Sequence, residues 1–446
     1  MKRLTVKKTR FLGLLILVIA IPLVIGSLML TQQGLKQKAQ ALGRIISRRL
    51  ISQQLGRVSS SSVISRGVPA FASSGNSPAS NANDDSYDTT WRSQGAPAWL
   101  AYDLSAVPAS RRSKVLIVWY NETSNYDHTI ISYPSYNIPR DYTIDVNRAP
   151  GGGNPPGTGW MTLVTVQGNH YHSREHVIDM MGSNWIRMNV TGVDGSAENY
   201  DASLNMDVYD ASDGLADDWI FFGDSITAGG MGHWTAGGVK TFAQLINAQA
   251  PHYFPAQESG GIGFLTSADG AKYIDTWLPL FPGRFVGLSY GTNDANGCVN
   301  PDTYYNNYVT MVRAVLRDGK IPVVPHIPWA RNANVQNCGP DLNAKIEALY
   351  KTFPQIIKGP DFWTFFQNHQ DLISNDNLHP TDAGFGAYRQ QWAKAMIAEV
   401  YNSGEMTVLD RAKTKIGNKR HAEFRRPISQ ACFHERPIGC DLVSGT

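Results

Sequence analysis

Ser225 closes the run Trp219-Ile-Phe-Phe-Gly-Asp-Ser225, in which apolar and aromatic residues lead straight into Gly-Asp-Ser. The pattern predicts a buried strand that stops at a tight turn and delivers a hydroxyl at its carboxyl end, where open α/β sheets put their chemistry. A serine hydroxyl is a poor nucleophile at neutral pH. It needs a base within hydrogen-bond reach and donors for the charge that builds on the attacked oxygen. Asp376-Asn-Leu-His379-Pro380 sets a carboxylate three residues before an imidazole, and Gly291-Thr-Asn293-Asp294 offers a side-chain amide just after an apolar run ending at Tyr290. Glu258-Ser-Gly260-Gly261-Ile-Gly263 is glycine-dense enough to bring a backbone amide close to a substrate. Together these supply a nucleophile, a base, an orienting acid and oxyanion donors, the equipment of acyl transfer.

Other residues compete for roles. Gly287-Leu-Ser289-Tyr-Gly291 fits the Gly-x-Ser-x-Gly elbow, but that elbow must lead at once into a helix, whereas Thr-Asn-Asp-Ala-Asn-Gly follows. A buried strand serine is the plainer reading. His233 and Trp234, shortly after the nucleophile, are candidates to line a substrate pocket. His170, His172 and His176 look metal-like in spacing, but they fall on a strand and turn and are expected to be a surface cluster. No metal or cofactor is expected. Cys298 and Cys338 follow neighbouring predicted strands, and in an oxidising compartment a bridge between them would brace the Asn293 loop; two separate buried thiols are the alternative.

The elements that position these groups are legible in outline. From Asp217 onward strand-like runs (284–290, 321–327, 362–366) alternate with helical ones (239–250, 304–317, 342–352, 382–401), which predicts a mostly parallel sheet covered on both faces. Residues 86–216 instead carry short β-prone runs cut by turns, among them the Gly151-Gly-Gly-Asn-Pro-Pro-Gly157 cluster, and predict a β-sandwich. Upstream, Lys2, Arg3, Lys7, Lys8 and Arg10 precede an uncharged run from Phe11 to Leu30 that is long enough to cross a bilayer. Residues 1–32 are therefore expected to be a signal anchor or signal peptide. Residues 33–85 divide into an amphipathic stalk, with Leu35, Ala39, Leu42, Ile46 and Leu50 at helical spacing, and a linker rich in Ser, Asn and Gly. Residues 217–402 form the expected catalytic domain, and the basic tail 403–446 is expected to be disordered.

Gly-Asp-Ser225, the glycine turn, Gly-Thr-Asn293-Asp and Asp376-x-x-His379-Pro occur in the order of the SGNH family, also called GDSL hydrolases, and the resemblance spans about Asp217 to Tyr401. It implies a flavodoxin-like three-layer α/β/α fold and a metal-free esterase. Ser225 is then the nucleophile, His379 the base, Asp376 the residue that orients the imidazole, and Ser225, Gly260 and Asn293 the oxyanion hole. Family spacing selects Gly260, with Gly261 as the alternative and Glu258 where asparagine is usual. In residues 86–216 the order Thr90-Trp91-Arg-Ser93, Trp99-Leu-Ala-Tyr-Asp103, Gly159-Trp160 and Trp185-Ile-Arg187 resembles the discoidin, galactose-binding-like jelly-roll modules. Members of that family either hold sugars in end loops or brace a neighbouring domain. The sequence leaves both open.

Of 446 residues 42% are hydrophobic, enough for real cores, and a net charge of +3 gives no support for nucleic-acid binding. The expectation is an extracytoplasmic esterase, membrane-associated through its N-terminal segment or secreted. Its expected substrate is a short acyl, chiefly acetyl, ester on carbohydrate, or else a small ester. The alternatives are a lipase or lysophospholipase of the same family and a non-catalytic carbohydrate-binding surface protein.

Overall fold

A computed structural model of the chain describes residues 62–121, 126–131, 137–194, 201–214 and 217–401. The expected signal segment, the stalk helix and the basic tail lie outside the described residues. Among the described residues no helix is long and apolar enough to cross a membrane.

The first half is a two-sheet antiparallel sandwich. Its strands are β1 (Ala70–Ala72), β2 (Trp91–Arg92), β3 (Ala98–Asp103), β4 (Lys114–Tyr120), β5 (Ile138–Asn147), β6 (Met161–Val166), β7 (Ser173–Asp179), β8 (Trp185–Asp194) and β9 (Ser203–Asp210). One sheet has the order β1-β3-β8-β5-β6 and the other β2-β9-β4-β7. Because side chains alternate along a strand, Val115, Ile117 and Trp119 of β4 enter the sandwich core with Leu100, Tyr102 and Met188. Leu116, Val118 and Tyr120 face the other way.

The sandwich begins earlier than its composition predicts. Within the stretch expected to be a linker, Ile64 joins the core, Ile64 N–H donates to the Val208 carbonyl and β1 pairs with β3. Asn83 Nδ2 donates to the carbonyls of Ser65 and Val68, and the Trp91 indole N–H donates to Ser74 O. Short polar side chains here satisfy irregular backbone, which composition alone does not distinguish from a solvated linker.

The second half alternates. It runs β10 (Asp218–Gly223), α1 (Ser225–Met231), α2 (Phe242–Gln249), β11 (Ala256–Gly261), α3 (Ser267–Trp277), β12 (Phe285–Ser289), α4 (Thr292–Asn296), α5 (Pro301–Arg317), β13 (Ile321–Val324), α6 (Ala333–Thr352), β14 (Ile357–Lys358), α7 (Phe362–Asn368) and α8 (Asp382–Met396). The sheet order is β11-β10-β12-β13-β14, parallel throughout. In order of appearance that is 2-1-3-4-5, the flavodoxin-like arrangement. The central strand β10 is apolar on both faces because both are covered. Ile220 and Phe222 pack with Trp277 and Met311, and Trp219 and Phe221 pack with Phe242 and Trp392. Residues 362–366, expected to be a strand, instead open α7: Asp361 accepts from Thr364 N–H, and Phe362 and Phe366 share one buried helical face. Five residues of mixed apolar and aromatic type fit either period, and the N-cap decides.

The two halves belong to one compact unit. The outward side of β4 and β9 lies on the edge of the parallel sheet, with Leu116, Tyr120 and Tyr209 against Ala256 and Phe254. Thr235 donates through its N–H and its hydroxyl to Asp88. The sandwich therefore braces the α/β layers directly.

Candidate active site

Asp224 caps α1, accepting from Ile226 N–H with its side chain, and this sets Ser225 at the first helical position, half-exposed at the carboxyl end of β10. Ser225 Oγ lies 2.9 Å from His379 Nε2, and His379 Nδ1 lies 2.6 Å from Asp376 Oδ2. Asp376 Oδ1 accepts from Ser374 Oγ and from the N–H groups of Leu378 and His379. Its slight burial opposes ionisation, but these donors and the imidazole outweigh it and hold the carboxyl well below its ordinary range. The imidazole thus has an acceptor fixed on one nitrogen and the serine hydroxyl on the other. Asn377 takes a positive φ of 65° to turn the chain between the acid and the histidine.

Three candidate donors lie in the segments next to Ser225 or tied to them. Ser225 N–H, at the first position of its helix, has no intrahelical partner. Asn293 Nδ2 donates one hydrogen to the Leu265 carbonyl at 2.9 Å, which orients the amide and leaves its second hydrogen free. Gly260 and Gly261, the expected glycine and its alternative, lie inside β11. Ala256 N–H and Ile262 N–H donate to Asp217 O and Gly223 O of the neighbouring chain segment, and in a parallel ladder alternate residues face the same neighbour. Gly260 N–H is therefore spent in the sheet, and a Cβ on Gly260 would strike the Phe222 ring at 2.5 Å. The next glycine, Gly263, lies two residues beyond the end of β11, as Ser225 does beyond β10. Its N–H has no partner among the described residues, and a Cβ there would meet nothing within 4 Å. The geometry leaves Gly263 N–H, and not the expected Gly260 N–H, free to donate. Ladder parity, which spacing alone does not reveal, makes the difference.

Residues 221–387 match the GDSL-like Lipase/Acylhydrolase family. This region belongs to that family. The GDSL-like region makes the chain a hydrolase of ester bonds. No curated protein matches the chain significantly. Among solved structures, the lipase/acylhydrolase from Enterococcus faecalis is similar at 19% identity, over 40% of this chain and 94% of that one, with a TM-score of 0.34. The psychrotrophic esterase EstA from Pseudoalteromonas sp. is similar at 16% identity, over 43% and 98%, with a TM-score of 0.33. A chitosan-binding module of a chitosanase/glucanase from Paenibacillus sp. IK-5 is similar at 23% identity, over 33% and 98%, with a TM-score of 0.24.

Several candidate side chains are engaged in other contacts. Ser289 is buried in β12 with its hydroxyl 2.8 Å from Tyr388 Oη and has no base beside it. His233, expected in the substrate pocket, is buried instead, and its Nε2–H donates to the Gln257 carbonyl at 2.7 Å. Burial pushes its pKa down to about 4. Trp234 is half-buried, its ring lying over Gly232 and its carbonyl accepting from Arg389. The histidines of the sandwich are not a surface cluster: His172 is buried, His176 Nε2 lies 2.8 Å from Tyr142 Oη, and His170 Nδ1 pairs with Asp127 at 2.8 Å. No group of metal-ligand type is assembled among the described residues.

Positioning contacts stand behind the site, of which the sequence singled out only the Cys298–Cys338 bridge. Arg389, wholly buried in α8, donates to the carbonyls of Gly230, Gly232, Trp234, Val239 and Lys240, so one guanidinium shapes the end of α1 and the segment that follows it. Asp294 accepts from Ser267 N–H and Oγ, tying α4 to α3. Cys298 and Cys338 are disulfide-bonded, joining the end of the Asn293 segment to α6. Just before α6, Arg331 donates to the Ile373 and Ser374 carbonyls and Asn332 N–H donates to Asn377 O. The Asn293 segment and the Asp376–His379 loop are thus tied to one another through α6. Arginines aimed at carbonyls leave no periodic trace in sequence.

Proposed function

We propose that this protein hydrolyses esters of short acyl groups through an acyl-enzyme on Ser225, with acylated carbohydrate outside the cytoplasm as its substrate class. The observation that carries the reading is the unbroken line Ser225 Oγ, His379 Nε2, His379 Nδ1, Asp376 Oδ2, with links of 2.9 and 2.6 Å. In the first step Ser225 Oγ bonds to the ester carbon while its proton passes to His379 Nε2. The carbonyl oxygen becomes an oxyanion facing the N–H groups of Ser225 and Gly263 and the free hydrogen of Asn293 Nδ2. Collapse breaks the carbon–alcohol bond, and the imidazolium returns the proton to the leaving oxygen. Water then repeats the sequence, giving its proton to His379, releasing the acid and restoring Ser225. Asp376, held ionised, stabilises the imidazolium in both halves.

Two features support the finer reading. The Cys298–Cys338 bridge suits an oxidising compartment, as does the basic-flanked apolar run Phe11 to Leu30. The sandwich resembles galactose-binding-like modules in sequence, and on its outer sheet Arg187 pairs with Asp145 at 2.7 Å under the Trp160 ring at 4.2 Å. Asp145 is buried there, and the half-buried Trp160 ring with the edge of Arg187 is the part of this cluster open to a sugar. The test is acid release from acetylated polysaccharides and from free esters of rising chain length, with Ser225→Ala as the blank. Acetate release from the polymer, with activity falling beyond butyrate, is expected. A preference for long chains or phospholipid without acetate release would replace the carbohydrate esterase with a lipase.

A further inference from the structure

Phe264 has 71% of its surface exposed, the most of any large hydrophobic residue described, and its φ is +67°. It follows Gly263 and precedes Leu265, in a turn closed by Leu265 N–H on the Ile262 carbonyl at 3.5 Å. A positive φ at the third position of such a turn is ordinarily given to glycine or asparagine, and a bulky residue there is an outlier. The turn is held on both sides by the site: Ile262 N–H donates to Gly223 O beside the nucleophile, and Leu265 O accepts from the Asn293 amide. An exposed ring on a strained backbone thus sits in the short segment that joins Gly263 to the Leu265 carbonyl held by Asn293. Strain of this kind persists where function maintains it.

Resting on the acyl-enzyme reading, we infer that Phe264 is a specificity-determining residue, an apolar platform that the acyl chain of the substrate covers. The choice of acyl over alcohol follows from the two faces of the sheet. His379 leads into α8, which packs with α1 on the face of Phe221 and Trp392. The Gly263–Leu265 turn leads into α3, whose Trp277 packs with Phe222 on the opposite face. The leaving alcohol must reach His379 Nε2 and is drawn to the first face. The acyl substituent is left within reach of the ring. Covering apolar surface gains with every methylene, so the contact is negligible for acetyl and grows with chain length.

The experiment measures kcat and KM for two ester series: p-nitrophenyl acetate to hexanoate, and acetates of methyl, phenyl and glucosyl alcohols. For Phe264→Ala the expected result is a loss in kcat/KM that grows along the acyl series to roughly tenfold at hexanoate, mainly through KM. Acetates of every alcohol stay within about twofold of wild type. Phe264→Leu keeps most of the wild-type kcat/KM at every chain length, whichever acyl length the wild type itself prefers. Phe264→Gly, which relieves the backbone, shows the same losses with an unchanged or higher melting temperature, so unfolding does not account for them. A loss uniform over the acyl series, a loss that follows the alcohol, or no loss at all overturns the inference. Failure of the acyl-enzyme reading would instead appear in the wild type, as no Ser225-dependent hydrolysis of any ester.

Discussion

His233 lies flat on Tyr120, with ring centroids 3.6 Å apart and planes within 5° of parallel. One ring comes from the segment after the nucleophile helix and the other from the sandwich, so the stack is a seam between the two halves. Tyr120 in turn bonds the Asp207 carboxylate, which Tyr87 and Arg66 also reach. The module is fastened by buried polar and aromatic contacts as well as by apolar area.

That seam has a pH signature. Burial depresses His233 to about 4 from its ordinary 6.5, so below pH 6.5 the unfolded chain takes up a proton that the folded protein refuses. Its contribution is complete above that pH and is lost as pH falls towards 4. The melting temperature should drop over this window, and His233→Gln, which keeps an N–H for Gln257 O, should make the drop shallower. His176, also depressed by burial, to about 3, acts in the same direction, so some slope should remain. An identical slope in the variant would remove His233 from the account.

The opposite slope belongs to Glu258, placed where the family usually has asparagine. Burial first, and then the charge of Asp218, pushes its pKa up to about 8, and burial also raises Glu175 across the seam. A raised carboxyl stabilises the fold fully below its ordinary 4.5 and loses that contribution as pH rises through about 8. Above about pH 6.5, where the histidine slope is spent, unfolding midpoints should therefore fall as pH rises towards 9. Glu258→Gln should resist the alkaline fall and be the more stable protein at pH 9; a variant less stable at that pH would show that the glutamate is needed charged.

Asn293→Ala should lower kcat by about two to three orders of magnitude with little change in KM, the usual effect of removing one oxyanion donor. Ser289→Ala, which touches only the buried Tyr388 hydroxyl, should leave kcat within a few-fold of wild type. Steady-state kinetics on p-nitrophenyl acetate decides both. A change confined to KM in the first, or an inactive second variant, would contradict the site as built.

Reducing the Cys298–Cys338 bridge, which spans 40 residues of sequence, should destabilise the fold by about 3 to 4 kcal/mol in the chain-entropy model. Because the bridge links the Asn293 segment to α6, and α6 borders the Asp376 loop, activity should fall before the fold is lost. Parallel melting and rate measurements across a thiol series test this. Coincident loss of both would reduce the bridge to a stabilising role.

The sequence by itself determined the chemistry and its order along the chain. A strand buried on both faces must be continuously apolar, and Trp219 to Phe222 announce it. A serine after Gly-Asp, an amide after the run ending at Tyr290, and a carboxylate three residues before His379 are short-range patterns that survive without a fold. Tertiary structure alone decided whatever depends on a partner distant in sequence. Sheet parity spends Gly260 N–H and leaves Gly263 free. The sandwich surface takes His233 from the substrate and gives it to Tyr120. Hydrogen bonds to Val208 and Trp91 turn the Ser-rich stretch after residue 61 into part of a sandwich. The α7 N-cap makes a helix of a run that fits either period, and Arg389 gathers five carbonyls that no spacing rule connects. Composition and period report what a residue can do; desolvation and long-range pairing, which arise only on folding, select which of those things it does.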